Sequence, residues 1–351
     1  MVSIKVPARI CFFGDHQDYL GLPVIAGTID RFICLKANPN QREIFDIQLL
    51  DTGKRLIVSL DDDLNKIKPN DYFRSVMAVL KQKGFQFDMG HDIEISGNIP
   101  INAGLSSSSA LVVAWLRFLL SIQNEPVRVS DAQIGQWAYE AEVLYFNQPG
   151  GLMDQYTIAQ GGLLFIDTQT GQSTPLNNNL GAVIVAESGI SKETLEVLNN
   201  GRVYGQRAIA TVQEAFPEFM MKNAVEADYE RYVGAVPKEY RPYWYAAVHN
   251  YVITLKAKEE LKKDTVDIGL LGELMNAHQD ILHDKIKNTP PEMARMMDAA
   301  RKAGALGAKT IGSGGGGCMV AIAEKKDEQK VIDAFLAAGA LATYETKLTK
   351  I

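Results

Sequence analysis

The 351-residue sequence predicts an α+β fold, because strand and helix patterns mix without the strict alternation of a doubly wound sheet. Two loops stand out within that mixture. A serine-rich loop, residues 97–109, joins an alternating strand to an apolar helix, and a glycine loop, residues 312–317, joins two strand-like runs. The length suffices for two domains of ordinary size. The polar stretch 168–179 marks the expected boundary, giving domains 1–170 and 171–351.

Residues 2–13 are β-rich and run into the polar turn Gly14-Asp15-His16-Gln17-Asp18-Tyr19. Residues 28–37, 44–50 and 55–60 read as strands, with Asp51-Thr52-Gly53 as a turn. Asp71 is placed to cap a helix that runs to about residue 83. In residues 91–96, Ile93 and Ile95 share one face, which predicts a strand. The serine-rich loop follows, and the apolar run 110–120 predicts a buried helix.

Ser130-Asp131 opens a helix through Trp137 and Glu142 to about residue 146, where Pro149-Gly150-Gly151 prevents its continuation. A short helix starts within residues 152–156, and 161–167 returns as a strand. The second half opens with a strand over 182–187. Helical patterns cover 192–215, 242–262, 268–285 and 291–303. A strand, the glycine loop and a second strand span 308–323, followed by a helix over 329–337 and a strand over 342–348.

Apolar residues make up 46% and charged residues 22% of the chain, an ordinary soluble composition. A net charge of −6 argues against nucleic-acid and anionic-membrane partners, while allowing a local basic pocket for ATP. Cys11, Cys34 and Cys318 are too scattered for a disulfide framework or a zinc site, and read as small buried hydrophobes in a reducing compartment. The N-terminus lacks a signal-peptide core, and the run 110–120, interrupted by Arg117, is too short to span a bilayer. A cytoplasmic location is expected.

Strand, small-residue loop and helix N-terminus is a geometry that holds phosphate, because the first helical N–H groups lack intrahelical partners. One serine before a helix is ordinarily a cap. Four in a row behind Ala103-Gly104-Leu105 exceed what capping needs. No lysine follows Gly104, so the common phosphate-loop pattern is absent. The glycine loop formally matches a dinucleotide fingerprint, but residues 318–323 read as a strand where a helix is required, which excludes it.

Asp154 and Glu142 are each unremarkable alone, and the Asp15–Asp18 turn reads either as solvated or as a pocket for a polyol. A phosphate loop, a carboxylate for a metal, another for a base and a polyol-like pocket together point to phosphoryl transfer.

Three stretches in order, residues 7–19, 97–109 and 311–318, resemble the GHMP kinases, the family of galactokinase, homoserine, mevalonate and phosphomevalonate kinases. The first is most similar to the galactokinase pattern. That resemblance implies two α+β domains with the active site in the cleft between them, using ATP and Mg²⁺. It implies that Asp154 orients or deprotonates the attacking hydroxyl, and that Arg9 polarises it and stabilises the transferring charge. The phosphates would be wrapped by Asn102, Ala103, Gly104, Leu105, Ser106, Ser107 and Ser108, with Gly314 closing beside them. Ser108 and Glu142 would hold Mg²⁺. Asp15, His16, Gln17, Asp18 and Tyr204 would contact a sugar.

Two departures bear on the acceptor: Asp15 stands where the galactokinase pattern has Glu, and Cys11 where it has Asn. The expected activity is phosphorylation of a monosaccharide, at the anomeric hydroxyl of galactose or a related sugar. A mevalonate-type or heptose-phosphate kinase and a non-catalytic sugar- and ATP-dependent regulator are the alternatives.

Overall fold

The first strand runs along the second for almost its whole length. β1 (Val2–Phe13) and β2 (Val24–Pro39) pair antiparallel, placing Arg9 opposite Thr28, with a register shift at Pro7/Ala8 just before Arg9. The computed structural model describes residues 1–100, 103–191 and 194–350, the side chains of 194–198 excepted.

β3 (Ile44–Leu49) and β4 (Lys54–Ser59) form a hairpin. After α1 (Tyr72–Gln82), whose N-cap Asp71 accepts the Arg74 N–H, β5 (His91–Gly97) lies between β3 and β2. α2 (Ser107–Ser121), α3 (Asp131–Tyr139) and α4 (Met153–Gln160) follow, then β6 (Leu163–Asp167) and β7 (Gln172–Pro175). The sheet order is β4-β3-β5-β2-β6-β7, with β1 also on β2.

The second sheet, ordered β11-β8-β10-β9, is built from β8 (Ala182–Glu187), β9 (Ala305–Thr310), β10 (Cys318–Ala323) and β11 (Ala342–Thr346). Between and around these strands run α5 (Thr194–Ala215), α6 (Asp228–Tyr232), α7 (Arg241–Leu261), α8 (Ile268–Ile281), α9 (Pro291–Lys302) and α10 (Glu328–Ala337).

α2 is anchored by an aromatic cluster under the first sheet. Trp115 meets Phe45 and Phe73 with ring centroids 5.1 and 5.2 Å apart, and its indole donates to the Phe73 carbonyl at 3.0 Å. Each such buried ring contributes about 2–3 kcal/mol, which holds the helix against β3 and α1.

Some expected elements differ. The helix expected over 131–146 stops at Tyr139 and continues as a π-helical turn, Glu140–Leu144. That widened turn carries Glu142 toward the cleft. α8 likewise ends in a π-helical turn, Leu282–Ile286. β7 sits inside the polar stretch expected as the domain boundary, because an edge strand needs little apolar sequence once β6 offers it a ladder. The helix α6 has no counterpart in the sequence reading.

Candidate active site

The end of β1, the N-termini of α2 and α4, the π-helical turn and the glycine loop enclose an open cleft of about 560 Å³. At its centre the Arg9 fork grips Asp154. Nε donates to one carboxylate oxygen at 2.7 Å and Nη2 to the other at 2.8 Å, a bidentate charge-assisted pair. Nη1 donates to the Gly104 carbonyl at 2.6 Å, so one side chain ties β1, the serine-rich loop and α4 together. Burial by itself would depress the Arg9 pKa, but Asp154 outweighs it and the guanidinium lies above its ordinary value.

Ser106 is the N-cap residue of α2, yet no described side chain caps that helix. Its backbone is left-handed, with φ 58° and ψ 50°, a strained conformation for a non-glycine residue. That twist turns the hydroxyl toward Asp154, to which it donates. The first turn of α2 is thereby left to face the cleft, which Ser107, Ser108 and Ser109 line. A helix end of this kind attracts anions.

Glu142 is 7% exposed and accepts from Gln155 at 2.7 Å and from the hydroxyls of Ser108 and Ser109. Burial raises its pKa against those hydrogen bonds. The expected metal pair, Ser108 and Glu142, is therefore in contact. Among the described residues no cluster of three or more His, Cys, Asp or Glu forms a metal cage.

The turn after β1 divides its side chains. Asp18 lies at the cleft wall, where its carboxylate accepts the N–H groups of Tyr19 and Met153, and so meets the start of α4. Burial, then the neighbouring Asp154, push its carboxyl up to about 7. Asp15 and His16 also line the cleft, but their polar atoms are engaged within the protein. Asp15 takes the Lys309 ammonium at 2.5 Å and the Gly312 N–H at 2.7 Å. His16 meets Ser313 O at 3.0 Å and Tyr19 Oη at 2.7 Å.

Several expected contacts are corrected. Gln17 turns away from the cleft and accepts from Thr254 of α7 at 3.1 Å, because the turn seats it under that helix. Tyr204 does not line the cleft; it packs against Tyr240 and Tyr243 and is 37% exposed. Leu105 is wholly buried in the core, so only its backbone borders the site. Gly314 packs on Asn288, where a Cβ would come within 2.5 Å of the carbonyl oxygen, and Gly312 and Ser313 line the cleft instead. Ala103 and Gly104 do line it; Asn102 lies outside the described residues.

Three residues at the site escape the sequence reading. Gln155 holds Glu142, Lys309 pairs with Asp15, and Asn288 donates to Ser313 O at 3.1 Å while its own carbonyl accepts Gly315 N–H at 2.6 Å. Only Gln155 had a local signal, its adjacency to Asp154.

Comparison with known proteins bears on the architecture. The family model of the GHMP kinases N-terminal domain matches residues 71–162, and that of the GHMP kinases C-terminal region matches residues 257–341. The galactokinase of Thermococcus kodakarensis is 28% identical over 333 residues, covering 92% of this chain and 89% of that protein. The mevalonate kinase of Thermococcus gammatolerans is 27% identical over 350 residues, covering 96% and 94%. Among solved structures, Lactococcus lactis galactokinase complexed with galactose aligns with a TM-score of 0.87 at 21% identity, over 99% of this chain and 95% of that one. Methanococcus jannaschii mevalonate kinase aligns with a TM-score of 0.73 at 19% identity, over 99% and 98%. These structures share the fold. Both halves of the family's pattern occur in one chain and in order, and this protein belongs to the GHMP kinases.

Proposed function

We propose that the chain transfers the γ-phosphoryl group of Mg·ATP to a hydroxyl of a monosaccharide, the anomeric hydroxyl of galactose or a related sugar. The observation that carries this reading is the Arg9–Asp154 fork beside the uncapped end of α2. Phosphoryl transfer needs positioning and charge neutralisation more than covalent catalysis. In this reading the phosphates lie over the first turn of α2. Asp154 accepts from the acceptor hydroxyl and aligns it, and Arg9 offsets the charge developing between them.

The donor set suits Mg²⁺, which favours one or two carboxylates plus phosphate oxygens and water over an all-protein cage. Glu142 and Ser108 would hold it, where it would supply positive charge against that of the phosphates. A buried Glu142 carboxylate gains a counter-charge by this arrangement. We place domain boundaries at 1–170 and 171–351, and the enzyme in the cytoplasm. Among the described residues no helix is long and apolar enough to cross a membrane.

A sugar suits the acceptor end better than a carboxylate-bearing alcohol does. Asp18 and Asp154 both border it; carboxyl groups hydrogen-bond sugar hydroxyls, and an anionic acceptor would meet the charge of Asp154 and, above about pH 7, that of Asp18. The galactokinase relative supports the same choice, while the mevalonate kinase relative keeps the second open to test. The test is ADP release with Mg·ATP against a panel of hexoses, heptose phosphates, mevalonate and homoserine. Turnover on one hexose is expected, and Asp154→Asn should lower kcat by about 10²–10⁴-fold. Turnover on mevalonate alone would overturn the acceptor assignment.

A further inference from the structure

Lys309 lies in β9, a strand of the second sheet, and is wholly buried. Its ammonium donates to Asp15 at 2.5 Å, to Thr310 O at 2.6 Å and to Cys11 O at 3.3 Å, which uses all three protons. Asp15 is equally committed: its second oxygen accepts the Gly312 N–H. Burial alone would push the Asp15 carboxyl up, and Lys309 holds it below its ordinary value instead. Behind the pair, His278 is fully buried and neutral, its pKa lowered to about 3 by burial and by Lys309.

The consecutive residues Asp15 and His16 therefore hold the consecutive residues Gly312 and Ser313. The far end of the same loop docks on the serine-rich loop, where Cys318 N–H donates to Ala103 O at 2.8 Å.

We propose that Asp15 is a positioning residue and not an acceptor ligand: with Lys309 it pins the glycine loop to the turn after β1 and so fixes the nucleotide side of the cleft. Acceptor recognition at this end falls to Asp18. This rests on the kinase reading above for the identity of the two cleft ends. The Asp-for-Glu departure noted in the sequence acquires a structural account, since the shorter carboxylate sits fully buried on Lys309, with 0% of its side chain exposed.

The test uses the full chain and two double variants, because removing one partner of a buried pair destabilises while removing both together is tolerated. Asp15→Asn with Lys309→Met discharges the pair and keeps an acceptor for the Gly312 N–H. Asp15→Ala with Lys309→Met discards that acceptor as well. Affinity for the non-hydrolysable analogue AMP-PNP with Mg²⁺, measured calorimetrically, is expected to fall at least tenfold in the Ala variant. The Asn variant should recover it to within threefold of wild type. With the acceptor identified, its KM should move less than threefold in both, while kcat falls in both and further in the Ala variant.

An acceptor KM raised thirtyfold or more in the Asn variant, with AMP-PNP affinity intact, would make Asp15 a direct acceptor ligand and overturn the proposal. Equal AMP-PNP affinity in the two variants would overturn it as well. A wild type that turns over no sugar would sink the acceptor reading alone, since the AMP-PNP comparison needs no acceptor.

Discussion

The carboxylate of Asp18 faces two opposed demands: it must border the cleft, and it sits close to Asp154 and, farther off, Asp15. Burial and that like charge raise its pKa to about 7 from 3.8. Between those two values the folded chain keeps a proton that the unfolded chain has lost, so stability falls as pH rises through the window and levels off above it. Each pH unit inside the window removes at most about 1.4 kcal/mol. The neutral mimic Asp18→Asn should escape this penalty. Urea melts at pH 4.5, 5.5, 6.5 and 7.5 should show the variant gaining on wild type up to about pH 7; parallel profiles would show that Asp18 ionises at an ordinary pH. Lys309 carries the contrasting lesson. A lone lysine in an apolar strand reads as solvent-facing, and the pairing of β9 with β10 and the approach of β1, whose Cys11 carbonyl accepts from it, bury it.

At the scale of elements, the approach of α4 to the turn after β1 depends on a missing side chain. A Cβ on Gly151 would stand 2.2 Å from an Asp18 carboxylate oxygen and 2.7 Å from its Cβ, while Tyr19 and Met153 N–H groups hold that carboxylate in place. Gly151→Ala should therefore raise the acceptor KM at least tenfold and leave the KM for ATP within threefold. An unchanged acceptor KM would show that Asp18 moves aside without cost. Most elements were legible because their signals are local: alternation in β5, the Asp71 cap of α1, and Pro149-Gly150-Gly151 ahead of α4. Helix phase was less so. α5 touches the turn after β1 through Gly201, where a Cβ would fall 2.6 Å from Tyr19 Oη, and through Gly205, against Leu20. Tyr204 neighbours Gly205 in sequence but lies about 100° around the helix from it, which sends its ring to Tyr240 and Tyr243. The two glycines four residues apart were the readable sign of close approach. Nothing local revealed the π-helical turn that presents Glu142.

Across the whole molecule, the segment after β11 crosses from the second sheet to the first. Asp30 N–H donates to Lys347 O at 3.1 Å, Thr349 N–H to Thr28 O at 2.9 Å and Gly162 N–H to Thr349 O at 2.8 Å, while Thr28 Oγ1 donates to Thr349 O at 2.5 Å. Leu348 fills the space beside Gly27, where a Cβ would clash with it at 2.9 Å. Thr28 is the register partner of Arg9, so this strap braces the strand pair that carries the Arg9–Asp154 fork. Four hydrogen bonds at about 1 kcal/mol each, with the burial of Leu348, make the strap worth several kcal/mol. Deleting residues 347–351 should lower the thermal midpoint by at least about 5 °C and split one cooperative transition into two, as the sheets lose a shared restraint. At temperatures where the shortened chain is still folded, kcat should drop more than either KM, because the fork is displaced while the cleft walls remain. A shortened chain that melts in a single transition at the wild-type midpoint would mean that the cleft contacts, Asp15 to Lys309 and Gly312, His16 to Ser313 and Ala103 to Cys318 among them, suffice to hold the two sheets in register.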